Sequence, residues 1–88
     1  MEILAKGDSM LPLLKNGNKY RVELINEDDI KEQDIIVFII EDLVICHRII
    51  KIISTNSGKL FYKTKGDNCK KPDPYAITFD MIIGRIVL

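Results

Sequence analysis

Eighty-eight residues make one domain, near the lower size limit for a chain that builds its own core. Thirteen Lys and Arg balance thirteen Asp and Glu, and a net charge of zero argues against a nucleic-acid partner, whose binding rests on many basic contacts to phosphate. Two cysteines, Cys46 and Cys69, are too few for a disulfide framework, and the longest apolar run, Ile35 to Ile40, is far short of the roughly 20 residues of a membrane helix. Met1–Glu2 lacks the basic and apolar start of a signal peptide, so a cytoplasmic chain with free thiols and no membrane anchor is expected. The charges are segregated. Glu23 to Asp42 holds eight acids against Lys31, and Lys59 to Lys71 holds five lysines against Asp67. Two solvated faces explain this, and steering of a charged partner is the sharper alternative.

In chain order, the pattern predicts strands at Ile3–Ala5, Tyr20–Leu24, Ile35–Ile40, Leu43–Ile53, Leu60–Lys65 and Gly84–Leu88. Asn16-Gly17 is a strong turn signal after the first strand. Asn26 to Gln33 allows only a short, polar helical turn. "DIIVFIIED" lacks alternation, so its strand is expected to be central and buried on both faces. Glu41–Asp42 makes a tight hairpin with less favourable turn residues, and "STNSGK" (54–59) makes a second. In "VICHRIIKII", alternation puts Ile45, His47 and Ile49 on one face and Val44, Cys46, Arg48, Ile50 and Ile52 on the other. "KGDNCKKPDP" (65–74) is a longer loop, and the chain closes on "GRIVL", a candidate exposed edge. Many short strands in a small chain predict an all-β fold, a coiled and partly closed barrel.

Three segments carry residues capable of chemistry. Ser9 lies in Gly7-Asp8-Ser9-Met10-Leu11-Pro12, where Pro12 restricts the backbone before it. Alone, such a serine is an ordinary turn residue. His47 is the one histidine, with an unperturbed pKa near neutrality, and on a strand it reads equally as a satisfied core residue. Asp67 fits a turn in which its carboxylate accepts backbone N–H groups. Asp73 sits between Pro72 and Pro74, which stiffen it. A serine hydroxyl needs an adjacent base, and an imidazole base needs a carboxylate to hold its tautomer. Ser9, His47 and Asp73 supply those three roles on separate segments, with Asp67 as runner-up acid. No metal is expected, because adjacent Cys46 and His47 face opposite ways and distant Cys69 does not complete a tetrahedral set. No cofactor is called for.

Together, "GDSMLP" at 7–12, "DIIVFIIEDLVICHRIIKI" at 34–52 and "FYKTKGDNCKKPD" at 61–73 resemble the type I signal peptidase family, in its archaeal and endoplasmic-reticulum branch. The family pattern is Ser-Met-x-Pro, then Gly-Asp-(apolar)-Phe leading to His-Arg, then Thr-Lys-Gly-Asp-Asn with a further Asp. "IIGRIV" at 82–87 is similar to its closing strand. The resemblance implies the fold shared with LexA-type self-cleaving repressors, with Ser9 as nucleophile, His47 as general base and Asp73 as orienting acid. Relatives in the bacterial branch carry lysine as the base. It places the oxyanion hole at Gly7, Ser9 and Met10, using the N–H of the nucleophile itself. Some members add a hydroxyl two residues earlier, which Gly7 cannot supply. No membrane anchor and no large insertion is seen in these residues, so a departure from the family, a minimal catalytic core, is expected.

The expected function is a soluble serine endopeptidase acting on a peptide or protein substrate. That substrate would bind extended beside Ile3, Ala5, Val44 and Cys46, with small side chains before the cut as the family implies. The alternative from another class is an inactive module of the same fold that holds a peptide or forms a homodimer through an exposed sheet edge. A metal or redox role for Cys46, Cys69 and His47 is the weakest alternative.

Overall fold

The computed structural model describes residues 1–88. Seven strands form one antiparallel sheet: β1 (Glu2–Leu4), β2 (Lys19–Glu23), β3 (Ile35–Ile40), β4 (Leu43–Ser54), β5 (Leu60–Lys65), β6 (Ala76–Ile77) and β7 (Ile82–Val87). Their order is β1-β2-β7-β3-β4-β5-β6. Two 3-10 turns, Glu27–Asp29 and Phe79–Met81, are the only helical pieces. This is the all-β, incompletely closed barrel that the pattern of short strands predicts. β3 and β5 lie where alternation and composition place them, and the other predicted strands shift by one or two residues. β6 and the second 3-10 turn carry no periodic signal, being two and three residues long.

β3 sits at the middle of the sheet because both of its faces are apolar. Ile35 and Val37 enter one core with Met10, Leu14, Val22 and Ile86. Ile36 and Phe38 enter the other with Ile30, Ile49, Tyr62 and Ile77. A strand walled by two cores needs apolar side chains at every position, which is why alternation is lost. The run outlasts the burial, for Ile39 is 44% exposed near the hairpin. That hairpin turns on Glu41 (φ 48°) and Asp42 (φ 67°), two left-handed residues that match the twist of the strands.

Bulges overturn two details of the strict alternation. In β4 the pairing with β5 passes from Ile49↔Thr64 to Lys51↔Lys63, so Ile50 is the extra residue. The parity flips there, and Ile52 packs with Ile49 on the second core rather than with Cys46 on the first. The β3–β7 pairing shifts in the same manner, from Val37↔Gly84 to Phe38↔Ile82. Gly84 has no room for a side chain, because a Cβ would collide with the Glu23 carbonyl and Val22 Cγ1.

The expectation of an exposed C-terminal edge is also overturned. β7 pairs with β2 on one side and β3 on the other, so it lies inside the sheet. Its Arg85 donates from Nε to Glu23 at 2.9 Å and from Nη1 to Asp34 at 3.1 Å. Part of the acidic stretch is therefore engaged with the sheet. The free edges are β1, β6 and the first half of β4, Leu43–His47, which pairs with β3 alone.

Gln33 enters β3 with φ 79° while its N–H bonds the Ile49 carbonyl at 2.8 Å. The family pattern has glycine before the aspartate at this point, where a left-handed backbone carries no Cβ penalty. Gln33→Gly is expected to raise stability by about 1 kcal/mol, read as a higher urea midpoint at unchanged m-value.

Candidate functional site

The segment between β1 and β2 folds as consecutive turns anchored from below. Met10 and Leu14 bury into the first core, at 4% and 3% exposure. Leu11 N–H bonds the Asp8 carbonyl (3.2 Å) and Leu14 N–H bonds the Met10 carbonyl (3.0 Å). Ser9 is thereby held at the top of the turn, half-buried. His47 comes from β4, opposite Ile36 of β3, and its imidazole and the Phe38 ring form a T-shaped pair with centroids 6.5 Å apart. Asp73 comes from the loop after β5. Its N–H bonds the Thr64 carbonyl at 2.8 Å, which ties the loop back onto the strand it left.

These three side chains meet. His47 Nδ1 lies 2.7 Å from Asp73 Oδ2, and His47 Nε2 lies 3.0 Å from Ser9 Oγ. An ionised carboxylate only accepts hydrogen bonds, so Nδ1 carries the proton. In the neutral ring Nε2 is then a lone-pair acceptor facing the serine hydroxyl. His47 and Asp73 side chains are each 12% exposed, which limits competition from water for both bonds. The arrangement can take a proton from Ser9 as its oxygen attacks a carbonyl carbon.

Asp67 does not join them. Its carboxylate receives Nε and Nη2 of Arg48, each at 2.8 Å, and not the backbone N–H groups expected from a turn. Arg48 points to the opposite face of β4 from His47, which separates the two acids of the loop. The paired guanidinium holds the Asp67 carboxyl below its ordinary value and the carboxylate in turn raises Arg48. Arg48 Nη1 also reaches the Gln33 carbonyl at 2.8 Å.

Thr64 escaped sequence reasoning as a site residue. It is fully buried, and its Oγ1 donates to Asp73 Oδ2 at 2.6 Å. A buried hydroxyl on a strand must find a partner. It pairs with Ile49 of β4, and its bond to Asp73 depends on the path of the loop.

An apolar groove of about 660 Å³ runs away from Ser9 and His47 between β1 and β4. All four residues expected to contact an extended chain, Ile3, Ala5, Val44 and Cys46, line it. Both bounding strands have unpaired edges there. Burial pushes the Cys46 thiol up to about 12, so it stays protonated at neutral pH and is a neutral wall rather than a rival nucleophile. Of the expected oxyanion residues, Gly7 spends its N–H on Asn16 Oδ1 at 2.9 Å. The N–H groups of Ser9 and Met10 have no protein partner.

The Arg48–Asp67 pair fixes the sign of an acid effect. A carboxyl held below its ordinary value near 3.8 stabilises the fold above that pH, and the contribution is lost as pH falls through the lowered value. Asp67→Asn is expected to be less stable than wild type at neutral pH, with the gap narrowing as pH falls through the lowered value of the Asp67 carboxyl. Urea unfolding across pH 2 to 7 measures this, and a constant gap down to pH 2 would contradict it.

No protein-family model matches the sequence. Signal peptidase complex catalytic subunit SEC11C of human, mouse and dog is 33% identical to it over 73 residues, 81% of this chain and 38% of the relative. The chain thus spans about two fifths of the length of the curated relatives it matches. No helix is long and apolar enough to cross a membrane. Over most of its own length, the chain is signal-peptidase-like in sequence.

Proposed function

We propose that this protein is a serine endopeptidase of signal-peptidase-like type that cleaves extended peptide segments. The observation that carries the reading is the hydrogen-bonded series Asp73–His47–Ser9 at one end of an apolar groove with two free strand edges. A peptide in that groove pairs its backbone with β1 and with Leu43–Cys46, and the apolar walls take alternate side chains. The resemblance to the signal peptidase family implies small side chains before the scissile bond.

His47 Nε2 takes the hydroxyl proton as Ser9 Oγ bonds to the carbonyl carbon. The negative charge moves to the carbonyl oxygen, where the unpaired Ser9 N–H is a candidate donor. His47 returns the proton to the leaving amine, and the C–N bond breaks to leave an acyl-serine. Water then repeats the sequence: His47 takes its proton, its oxygen joins the acyl carbon, and Ser9 leaves with the proton restored. Asp73 keeps Nδ1 protonated throughout and stabilises the imidazolium. Thr64 holds the Asp73 oxygen that His47 uses.

A peptide library incubated with wild type, Ser9→Ala, His47→Ala and Asp73→Asn, with products read by mass spectrometry, tests the reading. Cleavage is expected to fall about 1,000-fold or more in each variant. Equal product profiles across all four proteins would refute it. Peptide binding retained without any cleavage in wild type would favour a module that holds extended chains.

A further inference from the structure

One residue makes two hydrogen bonds that straddle Ser9. Asn68 N–H donates to the Ser9 carbonyl at 2.8 Å, and Asn68 Nδ2 donates to the Asp8 carbonyl at 3.0 Å. These carbonyls belong to the peptide groups on either side of the Ser9 Cα. Both groups are trans, since Leu11–Pro12 is the one cis bond in the chain. In a trans peptide the C=O and N–H point in opposite directions. Holding the Asp8 carbonyl therefore aims the Ser9 N–H away from Asn68, and holding the Ser9 carbonyl aims the Met10 N–H likewise. Neither of these two N–H groups has a protein partner.

The loop that carries Asn68 is itself fixed against the turn. Gly66 lies so near that a Cβ would sit 2.7 Å from the Ser9 carbonyl oxygen and 3.1 Å from Ser9 Cβ. Cys69 N–H closes the loop on the Gly66 carbonyl at 2.9 Å. Asp67 gives its N–H to Met10 Sδ at 3.3 Å and its carboxylate to Arg48. Asn68 thus reaches Ser9 from a rigid base, with no freedom to follow the turn if it shifts.

We propose that Asn68 is a positioning residue that aims the Ser9 N–H at the oxygen of the scissile carbonyl, with the Met10 N–H held in a matching fixed direction. The proposal rests on Ser9 being the nucleophile. Asn68 touches neither substrate nor the reacting atoms, and it acts through the two peptide groups it holds. A preorganised donor aimed at developing charge is worth about 100-fold or more in kcat, and an error of about 1 Å in placement forfeits much of that.

Asn68→Ala removes the side-chain donor and keeps the main-chain one. Asn68→Asp keeps the shape but presents an acceptor to the Asp8 carbonyl, and it serves if the alanine variant fails to fold. In either, kcat on a cleaved library peptide is expected to fall about 10- to 100-fold, with KM within about twofold and the midpoint of the pH–rate profile unchanged, because the His47–Asp73 bond is untouched. An unchanged kcat would overturn the proposal. The second measurement needs no activity. In backbone 15N relaxation, the Ser9 amide is expected to drop from an order parameter of about 0.85 to below about 0.6, while Met10, whose peptide group keeps the main-chain bond from residue 68, and His47 and Thr64 keep theirs. A Ser9 amide as rigid as in wild type would refute the positioning role whether or not peptides are cleaved. Failure of the nucleophile reading shows separately, as Ser9→Ala cleaving like wild type.

Discussion

One carboxylate oxygen organises the site. Asp73 Oδ2 accepts from Thr64 Oγ1 at 2.6 Å and from His47 Nδ1 at 2.7 Å. Two donors on one oxygen fix its place in space, and the second bond decides which imidazole nitrogen holds the proton. The orientation of Nε2 toward Ser9 follows from that. Thr64 sits on β5 and His47 on β4, so the oxygen bridges two neighbouring strands that already share backbone pairing. The rigidity of the acid is inherited from the sheet. The flanking prolines stiffen the loop but supply none of these bonds.

The loop between β5 and β6 does two jobs from one attachment. Its far end presents Asp73 to the imidazole. Its near end, Gly66 to Cys69, packs against the Ser9 turn through Asn68, the Asp67 N–H and the close approach of Gly66. Ser9 and Asp73 are thus referred to one short segment, although they lie 64 residues apart in the chain. The Arg48–Asp67 pair closes the frame from the other face of β4. Two acids six residues apart in one loop therefore serve different ends, one facing an imidazole and one facing a guanidinium.

The sheet explains why the groove lies where it does. β3 is held between two cores and cannot be an edge. β7 fills the space between β3 and β2, which pushes β1 to one end of the strand order. Coiling then brings that free end opposite the half of β4 that β5 does not cover. A second short strand there would have filled the groove. Its absence leaves unpaired backbone donors and acceptors facing one another across apolar walls, the surface an extended chain can complete.

Much of this was legible in the amino-acid order. Local composition and period determined β3, β4 and β5, because apolar runs and turn residues act within a few positions of themselves. Side-chain chemistry together with the family resemblance singled out Ser9, His47 and Asp73. Other features belong to long-range geometry. The face of Ile52 depended on a bulge at Ile50, visible only in the pairing of β4 with β5, and the place of β7 depended on which strands remained unpaired. The partner of Asp67 could be chosen only once β4 had set Arg48 beside it. Thr64 and Asn68 looked like ordinary polar residues because a hydrogen bond to a distant segment leaves no period in the sequence. Only folding brings donor and acceptor within 3 Å, and that distance gives them their roles.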